Sequence, residues 1–338
     1  MKNNVFLITN ESIFIKEGGF YCDNIDIKSI PESLSDEFNI SILARSSKVL
    51  RSKRIEIKNI IPCANIFTFI IHLVKSFDNS KNIYITVSIS PYTFISSLVL
   101  GLFRKKNFTY LRSDGYEEYK TILGFFGPTI YNFMFTIVAK ISLLISCRKH
   151  ILKGRKGNIV HPSQLNEKWF SSIKKLDLSK INLLYVGRVK VEKGIFSLIE
   201  MIKNKNIKLT IVTSEKKTSI KSLPSNISLI NFDNYNDSII EIYDKYNIFI
   251  LPSFTEGHPQ VLDEALARNR PVIVFEEISH VVRDRKGVFV SKRNIDSLID
   301  TIKNIKNNFE VIQEDIKKNS LPTKKTFINE VKEIILNN

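Results

Sequence analysis

Four charged residues in the second half of the chain have the types and spacing of a site for a phosphorylated ligand. Arg188 and Lys193 follow a strand-like run in "LLYVGRVKVEKGIFSLIEMI". Glu256 follows another such run in "PSFTEGHPQVLDEALARNRPVIVF", and Glu264 lies eight positions later. Two cations placed where a strand gives way to a helix N-terminus make a site for a phosphate group. Taken singly, each of the four is more often a solvated charge, or, for Glu256, an acid attracted to the positive end of a helix.

Apolar strand-like runs alternate with helical stretches along the whole chain. The runs lie at 4–9, 39–44, 54–60, 83–89 and 108–113 and, after a polar stretch near 162–181, at 182–187, 208–213, 227–232, 248–253 and 271–275. Strands separated by helices predict parallel sheets with right-handed crossovers. The chain of 338 residues is also too long for one core. We therefore expect two doubly wound, Rossmann-like α/β domains that face a cleft, with the site at the carboxyl ends of the strands.

These elements predict where the domains begin and end. We place an N-terminal domain at 1–165 and a C-terminal domain at 166–320. Residues 321–338 are expected to form a helix that packs back toward the first domain.

The composition is that of a folded globular protein with a strong positive charge. It is 43% hydrophobic and 25% charged, with a formal net charge of +16. Such a surface attracts nucleic acid, anionic lipid or phosphorylated substrates, although a lysine-rich coding bias explains it equally well. The sequence has no RNA-binding signature and no zinc-finger spacing, which disfavours nucleic acid as a partner. Many cations fall into two clusters, Arg45, Lys48, Arg51, Lys53 and Arg54, and Arg148, Lys149, Lys153, Arg155 and Lys156.

Several protein classes are disfavoured by sequence features that are absent. Cys22, Cys63 and Cys147 are scattered without a C-x-x-C pair, which disfavours a disulfide framework or a zinc site and fits a reducing cytoplasm. The five histidines are too dispersed for a metal cluster, and the first apolar run is too short for a signal peptide. No G-x-G-x-x-G follows the first strand, which argues against an NAD enzyme. Gly18 and Gly19 lie there instead, and such a pair either lets the backbone approach a ligand or forms an ordinary turn.

An uncharged stretch, "TILGFFGPTIYNFMFTIVA", lies between Lys120 and Lys140. Its length makes it a transmembrane candidate, but two glycines and a proline interrupt it, and a span here would separate the two domains. Buried helices and a helix that docks on the membrane surface are the two main alternatives for 121–139. The basic residues beyond it favour docking on anionic lipid, and 92–103 adds a second apolar helix before three cations.

The two charged motifs resemble those of the retaining glycosyltransferases of family 4, which have the GT-B fold. "GRVKVEKG", residues 187–194, is similar to the family's loop that opens with Gly-Arg and closes with Lys-Gly. Glu256 and Glu264 have the spacing of its E-x7-E motif. The likeness covers most of the second domain, and the order of elements in the first domain agrees with it.

The resemblance implies a role for each motif residue. Glu256 would hydrogen-bond the donor sugar, Glu264 would hold the nucleotide ribose, and Arg188 and Lys193 would neutralise the leaving diphosphate. It implies a UDP- or GDP-linked sugar as donor, no further cofactor and no metal. Loss of one donor to a developing charge typically costs about 2.7–4 kcal/mol. The other donor-binding residues implied are Gly187, Gly257, His258, Gln260, Val261 and Leu262, with Gly18 and Gly19 from the first domain.

The chain departs from the family pattern at a few positions. Asp114 precedes Gly115 in "YLRSDGYEEY", where many members carry a histidine. Asp114 either orients or deprotonates the acceptor hydroxyl, or forms a simple Asp-Gly turn. Where a glycine pair and a glutamate usually follow the next strand, this chain has Glu276, Glu277 and His280, which leaves the donor's identity open.

Together these features predict a retaining, metal-independent transferase that moves a sugar from a nucleotide-diphosphate sugar. The resemblance further implies a bacterial enzyme of O-antigen, capsule or other surface-polysaccharide synthesis. Its acceptor would be a lipid-linked saccharide at the cytoplasmic face of the membrane, where an anionic surface holds the protein peripherally. A nucleotide-sugar 2-epimerase of the same fold and a noncatalytic scaffold are the alternatives. The scaffold is expected to have lost Arg188, Lys193 or Glu256, and all three are present.

Overall fold

The computed structural model describes residues 2–175, 181–215, 220, 222–232 and 238–337. The chain divides into two compact units. The first comprises residues 1–161 with 325–338, and the second comprises 162–324. Part of the polar stretch expected between the domains, 176–180, lies outside the described residues.

Helices and strands alternate through both units. The strands are β1 (Asn4–Lys16), β2 (Gly19–Cys22), β3 (Asn39–Ser47), β4 (Lys53–Ile55), β5 (Asn59–Cys63), β6 (Ile83–Val87), β7 (Asn107–Leu111), β8 (Leu143–Ser146), β9 (Asn158–Ile159), β10 (Asn182–Val186), β11 (Lys208–Thr213), β12 (Ile227–Asn231), β13 (Ile248–Leu251), β14 (Val272–Phe275) and β15 (Val288–Ser291). The α-helices are α1 (Ile25–Leu34), α2 (Ile66–Lys75), α3 (Pro91–Leu102), α4 (Gly115–Leu123), α5 (Gly127–Ile141), α6 (Ile195–Ile202), α7 (Ser238–Lys245), α8 (Gln260–Ala267), α9 (Ile295–Asn307), α10 (Phe309–Ile316) and α11 (Lys324–Asn337).

The first unit is built on a parallel sheet with a small antiparallel extension. The parallel strands run in the order β5-β3-β1-β6-β7-β8-β9. β6 and β7 are buried along their whole length, as expected of strands covered on both faces. The far end of β1 turns back into β2, and β2 pairs antiparallel with β4.

Helices cover both faces of this sheet. Side chains alternate along β1, so Leu7 packs in the cluster that contains α1 and α11, whereas Ile8 packs with α2 and α3. α11, from the end of the chain, buries Phe327 and Val331 in the first of these clusters. α2 and α3 begin with capping boxes at Asn65 and Ser90, which hold their N-termini at the sheet edge.

The second unit is a parallel sheet in the order β12-β11-β10-β13-β14-β15. One cluster of buried side chains spans its strands and helices. The prediction of two α/β domains with parallel sheets is confirmed.

Some elements differ from the sequence prediction. The single strand expected at 54–60 is wrong: β4 and β5 lie there as separate strands on different sides of β1. β1 does not end near residue 9 but continues to Lys16 through an irregularity in its register between Ile8 and Ser12. β8, β9 and β15 were not predicted, because each is short and lacks a long apolar run.

Candidate functional site

The strand order of the second unit brings two loops side by side. β10 and β13 are neighbours where the order of the strands reverses, and doubly wound folds bind ligands outside the carboxyl ends of such strands. The loop 187–194 follows β10, and the loop 252–259 follows β13. The four charged residues of the sequence motifs lie on these loops and on α8, which follows the second loop.

A salt bridge joins the two loops at the predicted site. Lys193 Nζ donates to Glu256 Oε1 at 2.7 Å, and Ser253 Oγ donates to the same oxygen at 2.6 Å. The Glu256 side chain is 9% exposed and that of Lys193 22%. The structure therefore brings together two motif residues that are 63 positions apart.

The backbones of the two loops also touch. Phe254 N donates to the Glu192 carbonyl at 3.0 Å. Gly194 has a φ of +64°, and a Cβ there would lie 1.9 Å from the carbonyl oxygen of Pro252. Only glycine fits a left-handed position with a backbone so close. The Lys-Gly that ends the first motif thus has two separate purposes: the cation reaches Glu256, and the glycine lets the loops meet.

Arg188 lies on the same loop and pairs loosely with another residue, Glu192. Its side chain is 62% exposed, and a guanidinium nitrogen is 3.9 Å from Glu192. The hydroxyl of Tyr185 donates to the carbonyl oxygen of Arg188 at 2.7 Å and fixes the backbone there. A Cβ at Gly187 would lie 2.7 Å from that hydroxyl, so glycine makes this turn possible. Arg188 is free to move toward an anion that enters the site.

The start of α8 presents backbone amides beside the second loop. Pro259 is the N-cap, and the first turn carries Gln260 and Val261, whose amides have no partner within the helix. A Cβ at Gly257 would meet no atom within 4 Å among the described residues. Leu262 is fully buried in the core, and its amide donates to the Pro259 carbonyl at 3.1 Å, so its contact with the donor stays a prediction.

Glu264 lies in the interior of the second unit. It is 5% exposed, and its Oε2 accepts a hydrogen bond from the Tyr243 hydroxyl at 2.8 Å. Burial raises the pKa of Glu264 to about 7; the Tyr243 hydrogen bond lowers it and the nearby charge of Asp263 raises it. At neutral pH this carboxyl group therefore sits near the midpoint of its titration.

His258 is held by the chain that enters the unit. Its Nε2 lies 2.8 Å from the Pro162 carbonyl oxygen and 3.6 Å from Asp263 Oδ2. Asp263 itself accepts two hydrogen bonds from Arg285, at 2.7 and 3.0 Å. In the part of the chain that the structure describes, no three His, Cys, Asp or Glu side chains are grouped as metal ligands would be.

The glycine pair of the first unit lies in a hairpin turn. Lys16 pairs with Gly19, so Glu17 and Gly18 form a two-residue turn, with φ values of +49° and +73°. Two positive φ values at these positions are typical of the type I′ turn that joins antiparallel strands. The turn explains the glycine at position 18, and the donor contact of Gly18 and Gly19 stays a prediction.

Asp114 and Gly115 have structural partners in the first unit. Asp114 is the N-cap of α4: Oδ1 accepts from the Tyr116 amide at 2.9 Å, and Oδ2 pairs with Lys153 Nζ at 3.0 Å. A Cβ at Gly115 would lie 2.0 Å from the ring of Tyr131, so the glycine allows α4 to pack on α5. The role of Asp114 toward an acceptor stays a prediction.

The sequence analysis missed Arg293, which lies just after β15. Its Nη2 donates to the carbonyl oxygens of Pro252 and Ser253, at 2.9 and 3.3 Å. Its guanidinium lies 4.2 Å from the ring centre of Phe254 and 4.4 Å from that of Phe275. Arg293 thus supports the loop that carries Glu256. No motif marks it, because it follows a strand that the apolar pattern did not predict.

The segment that departs from the family pattern also supports this loop. Glu277 accepts from Arg293 Nε at 2.6 Å and from its Nη2 at 3.2 Å. The hydrogen bond from Arg293 lowers the pKa of Glu277. The ring nitrogen Nε2 of His280 lies 3.0 Å from the carbonyl oxygen of Glu256.

Comparisons with known proteins concern the family and the fold of the chain. Residues 167–321 match the family model described as "Glycosyl transferases group 1". The capsular polysaccharide biosynthesis glycosyltransferase CapM of Staphylococcus aureus is 32% identical over 146 residues, which are 39% of this chain and 38% of that protein. The match thus spans little more than a third of that relative's length.

Solved structures match nearly the whole chain. HepE of Anabaena, in complex with UDP and glucose, has a TM-score of 0.69 at 10% identity, covering 98% of this chain and 99% of that one. WaaG, a glycosyltransferase involved in lipopolysaccharide biosynthesis, has a TM-score of 0.68 at 13% identity, covering 99% and 100%. At such identities the likeness establishes the fold. The chain as a whole therefore has the GT-B fold, and its second unit is similar to the glycosyl transferases group 1 family.

Proposed function

We propose that this protein is a retaining glycosyltransferase. It moves a sugar from a UDP- or GDP-linked donor to a lipid-linked saccharide acceptor in the synthesis of a bacterial surface polysaccharide such as capsule or O-antigen. The observation that carries the proposal is the contact between Lys193 and Glu256, because it joins a cation and a carboxylate on the two loops that flank the strand-order reversal. The match to the group 1 family and to CapM supports the reaction class and the product class.

The site suits stabilisation of a leaving diphosphate. In the reaction, the bond from the sugar C1 to the phosphate oxygen breaks, and a bond from C1 to the acceptor oxygen forms on the same face. The acceptor's hydroxyl proton passes to the departing phosphate oxygen. Lys193 and the exposed Arg188 place positive charge where this phosphate develops negative charge, and α8 and α6 each begin at the same loops.

The contacts of Glu256 favour a direct displacement over a covalent intermediate. Its Oε1 already accepts hydrogen bonds from Lys193 and Ser253. A carboxylate oxygen that is so stabilised is a weak nucleophile, but it can still orient a sugar hydroxyl and offset positive charge at C1. We therefore assign Glu256 to the donor sugar and propose that it forms no bond to C1.

The acceptor's lipid requires the protein to reach a membrane, and the first unit has a surface for this. By length and composition the stretch Gly115–Ile141 could cross a membrane, and 28% of its most apolar part is buried. However, α4 and α5 fold back on each other, since the Tyr116 hydroxyl donates to Asn132 at 2.8 Å and Gly127 lies against Tyr119. A helical hairpin of this kind favours docking over spanning.

The helices α2 to α5 carry exposed apolar side chains and belong to a stretch of the chain that is rich in cations. Phe125, at the tip, is 89% exposed, Phe67 on α2 is 77% exposed, and Leu102 on α3 is 80% exposed. Residues 57–166, which include α2 to α5, hold 14 Lys and Arg against four Asp and Glu, and so carry +10 of the chain's +16. Exposed apolar side chains next to such an excess of cations fit an anionic bilayer, at about 1 kcal/mol per cation near the surface.

Vesicle sedimentation tests the docking. Vesicles with anionic lipid should carry the protein down at low salt and release it as salt rises, because exposed charges are screened beyond about 10 Å at 0.1 M. Phe67→Ser with Phe125→Ser should weaken this binding. Val311→Ser, which removes a side chain that is 66% exposed on α10 of the second unit, is the matched control and should not. Equal binding to neutral vesicles, or none to either, would contradict the proposal.

The activity itself is tested with purified protein, a panel of UDP- and GDP-sugars and lipid-linked acceptors. Release of the nucleotide diphosphate and an α-linked product from an α-linked donor are expected. Inversion at C1 would overturn the retaining mechanism, and an epimerised donor without transfer would favour the 2-epimerase. No reaction with any donor would favour the scaffold.

Variants of the two glutamates separate their roles. Glu256→Gln should leave binding of the free nucleotide diphosphate nearly unchanged and lower turnover, since its partner is the sugar. Glu264→Gln should weaken binding of nucleotide and donor alike, by about 1.5–3 kcal/mol for a hydrogen bond to a charged group. Calorimetry beside steady-state kinetics measures both. The reverse pattern would exchange the two assignments.

A further inference from the structure

The Arg293 side chain contacts several residues that lie in or next to the loops of the proposed site. Its guanidinium lies between the rings of Phe254 and Phe275, donates to two carbonyl oxygens of the loop after β13, and pairs with Glu277. Its Nη1 is buried and lies 3.2 Å from the position that a Cβ on Gly194 would take. Arg293 therefore contacts the loop 252–259 directly. Its Nη1 lies close to Gly194, where the loop 187–194 meets that loop.

These contacts connect Arg293 to the two charged groups that the proposed reaction uses. Arg293 holds the carbonyl of Ser253, whose hydroxyl donates to Glu256 Oε1 at 2.6 Å. The same oxygen accepts from Lys193, which precedes Gly194. A shift of the loop 252–256 would therefore move the carboxylate and its cation together.

We propose that Arg293 is a positioning residue that sets the geometry of Glu256 and Lys193, and that its pairing with Glu277 keeps that carboxylate's charge from opposing an anionic donor. The proposal rests on the function proposed above. Arg293 touches no reacting atom. A misplacement of about 1 Å away from the chemistry can cost on the order of a hundredfold in rate, so a positioning role has a measurable effect.

The two parts of the proposal predict different kinetic changes. Arg293→Met keeps the stem between the two rings but removes the guanidinium, and should lower kcat about 10- to 100-fold and raise the KM for the donor. Glu277→Gln alone should change both constants little. In the double variant Arg293→Met with Glu277→Gln, the KM should return toward that of the wild type, because the negative charge of Glu277 is gone. The kcat should stay low, because the guanidinium that supports the loop 252–256 is still missing.

Arg270→Met is the matched control for loss of a buried arginine. The Arg270 side chain is 1% exposed against 14% for Arg293, and it donates to the carbonyls of Tyr243, Tyr246 and Asp244 at 3.0 to 3.1 Å. Its hydrogen bonds among the described residues do not involve the loops of the site. This variant should lower Tm while the folded fraction keeps its kcat. If Arg293→Met lowers Tm in the same way and leaves kcat of the folded fraction within about twofold of the wild type, Arg293 is merely structural and the proposal is overturned.

Amide hydrogen exchange tests the positioning without any turnover. Arg293→Met should speed exchange at 192–194 and 253–257, and leave the strands of both units unchanged. Unchanged exchange at these loops would overturn the proposal. If the wild type transfers no sugar but the loops still respond, the proposed function fails while the structural role of Arg293 stands, so the two failures are distinguishable.

Discussion

The carboxyl ends of the two sheets use similar residues for different purposes. In the second unit, Lys193 and Glu256 come from separate loops and meet at 2.7 Å, beside a glycine whose position the meeting requires. In the first unit, Asp114 caps a helix and pairs with Lys153, and Gly18 turns a hairpin. Both ends carry charges and glycines after strands. The difference is whether residues distant in sequence converge.

This contrast teaches what a local pattern can predict. An aspartate before a glycine at a strand end satisfies a helix N-terminus, and that need alone accounts for it. A cation, a glycine and a carboxylate on two loops have no such local explanation, since their contacts form only when the sheet brings the loops together. The charged residues of the second unit therefore suggest chemistry, and substitutions in both units test this difference.

The largest effect is expected at the two cations of the second unit. Lys193→Ala and Arg188→Ala should each lower turnover about a hundredfold or more, because each removes positive charge from the proposed diphosphate site. The exposed Arg188 makes a single long ion pair with Glu192, so its loss should change stability by less than about 0.5 kcal/mol. Steady-state kinetics and urea unfolding measure the two quantities.

Lys190 offers the matched control on the same loop. It is half exposed and lies 4.0 Å from Glu215, so Lys190→Ala removes a cation of similar exposure without touching Glu256. It should keep turnover within about twofold. Full activity in the double variant of Arg188 and Lys193 would show that the second unit, like the first, uses its strand-end charges for structure.

The sequence predicted the fold well because its strongest signals are local. β6, β10, β11 and β14 are continuous apolar runs, and parallel sheets follow from their alternation with helices. The closeness of the motifs that carry Lys193 and Glu256 could be predicted for the same reason, because both loops follow strands that the apolar pattern identifies.

The rest depends on packing that no local pattern encodes. β1 runs on through polar residues into a hairpin, and its partners β2 and β4 are too short to show a period of two. Arg293 reaches the site from the loop after a strand of four residues, and it contacts backbone carbonyls and side chains that are distant in sequence. The burial of Glu264 also follows from tertiary packing, because α8 is buried at every residue from Leu262 to Ala267.

The second effect in size concerns Glu264, the buried acid of the second unit. Its pKa is about 7 in the folded protein against 4.5 for the free group. Between these two values the unfolded chain has released the proton and the folded chain has kept it, so stability falls as pH rises through this window. The loss is on the order of 3 kcal/mol.

Glu264→Gln removes this titration and isolates it from all others. The free energy of unfolding of the wild type, minus that of the variant, should fall by most of that amount between pH 5 and pH 8, as measured by urea denaturation. If the ribose binds the charged form, nucleotide binding near neutral pH should release a proton, which calorimetry in buffers of different ionisation enthalpy detects. A constant difference across the pH range would mean that water reaches Glu264 and that its pKa is ordinary.

The smallest effect is expected at Asp114. It tests whether this charged residue of the first unit has a structural role alone. Asparagine is nearly as good an N-cap as aspartate, so Asp114→Asn should keep α4 and cost only the partly exposed ion pair with Lys153, within about 1 kcal/mol. Asp114→Ala also loses the cap and should cost about 1 kcal/mol more.

From these contacts we expect turnover of Asp114→Asn to stay within a few-fold of the wild type. The informative measurement is kcat together with Tm in the two variants. Asparagine can replace aspartate as an N-cap but cannot replace it as a base for the acceptor. If Asp114→Asn retains the wild-type Tm but loses turnover about a hundredfold, the carboxylate acts on the acceptor hydroxyl, and the first unit carries chemistry at a residue whose structural partners had seemed to explain it.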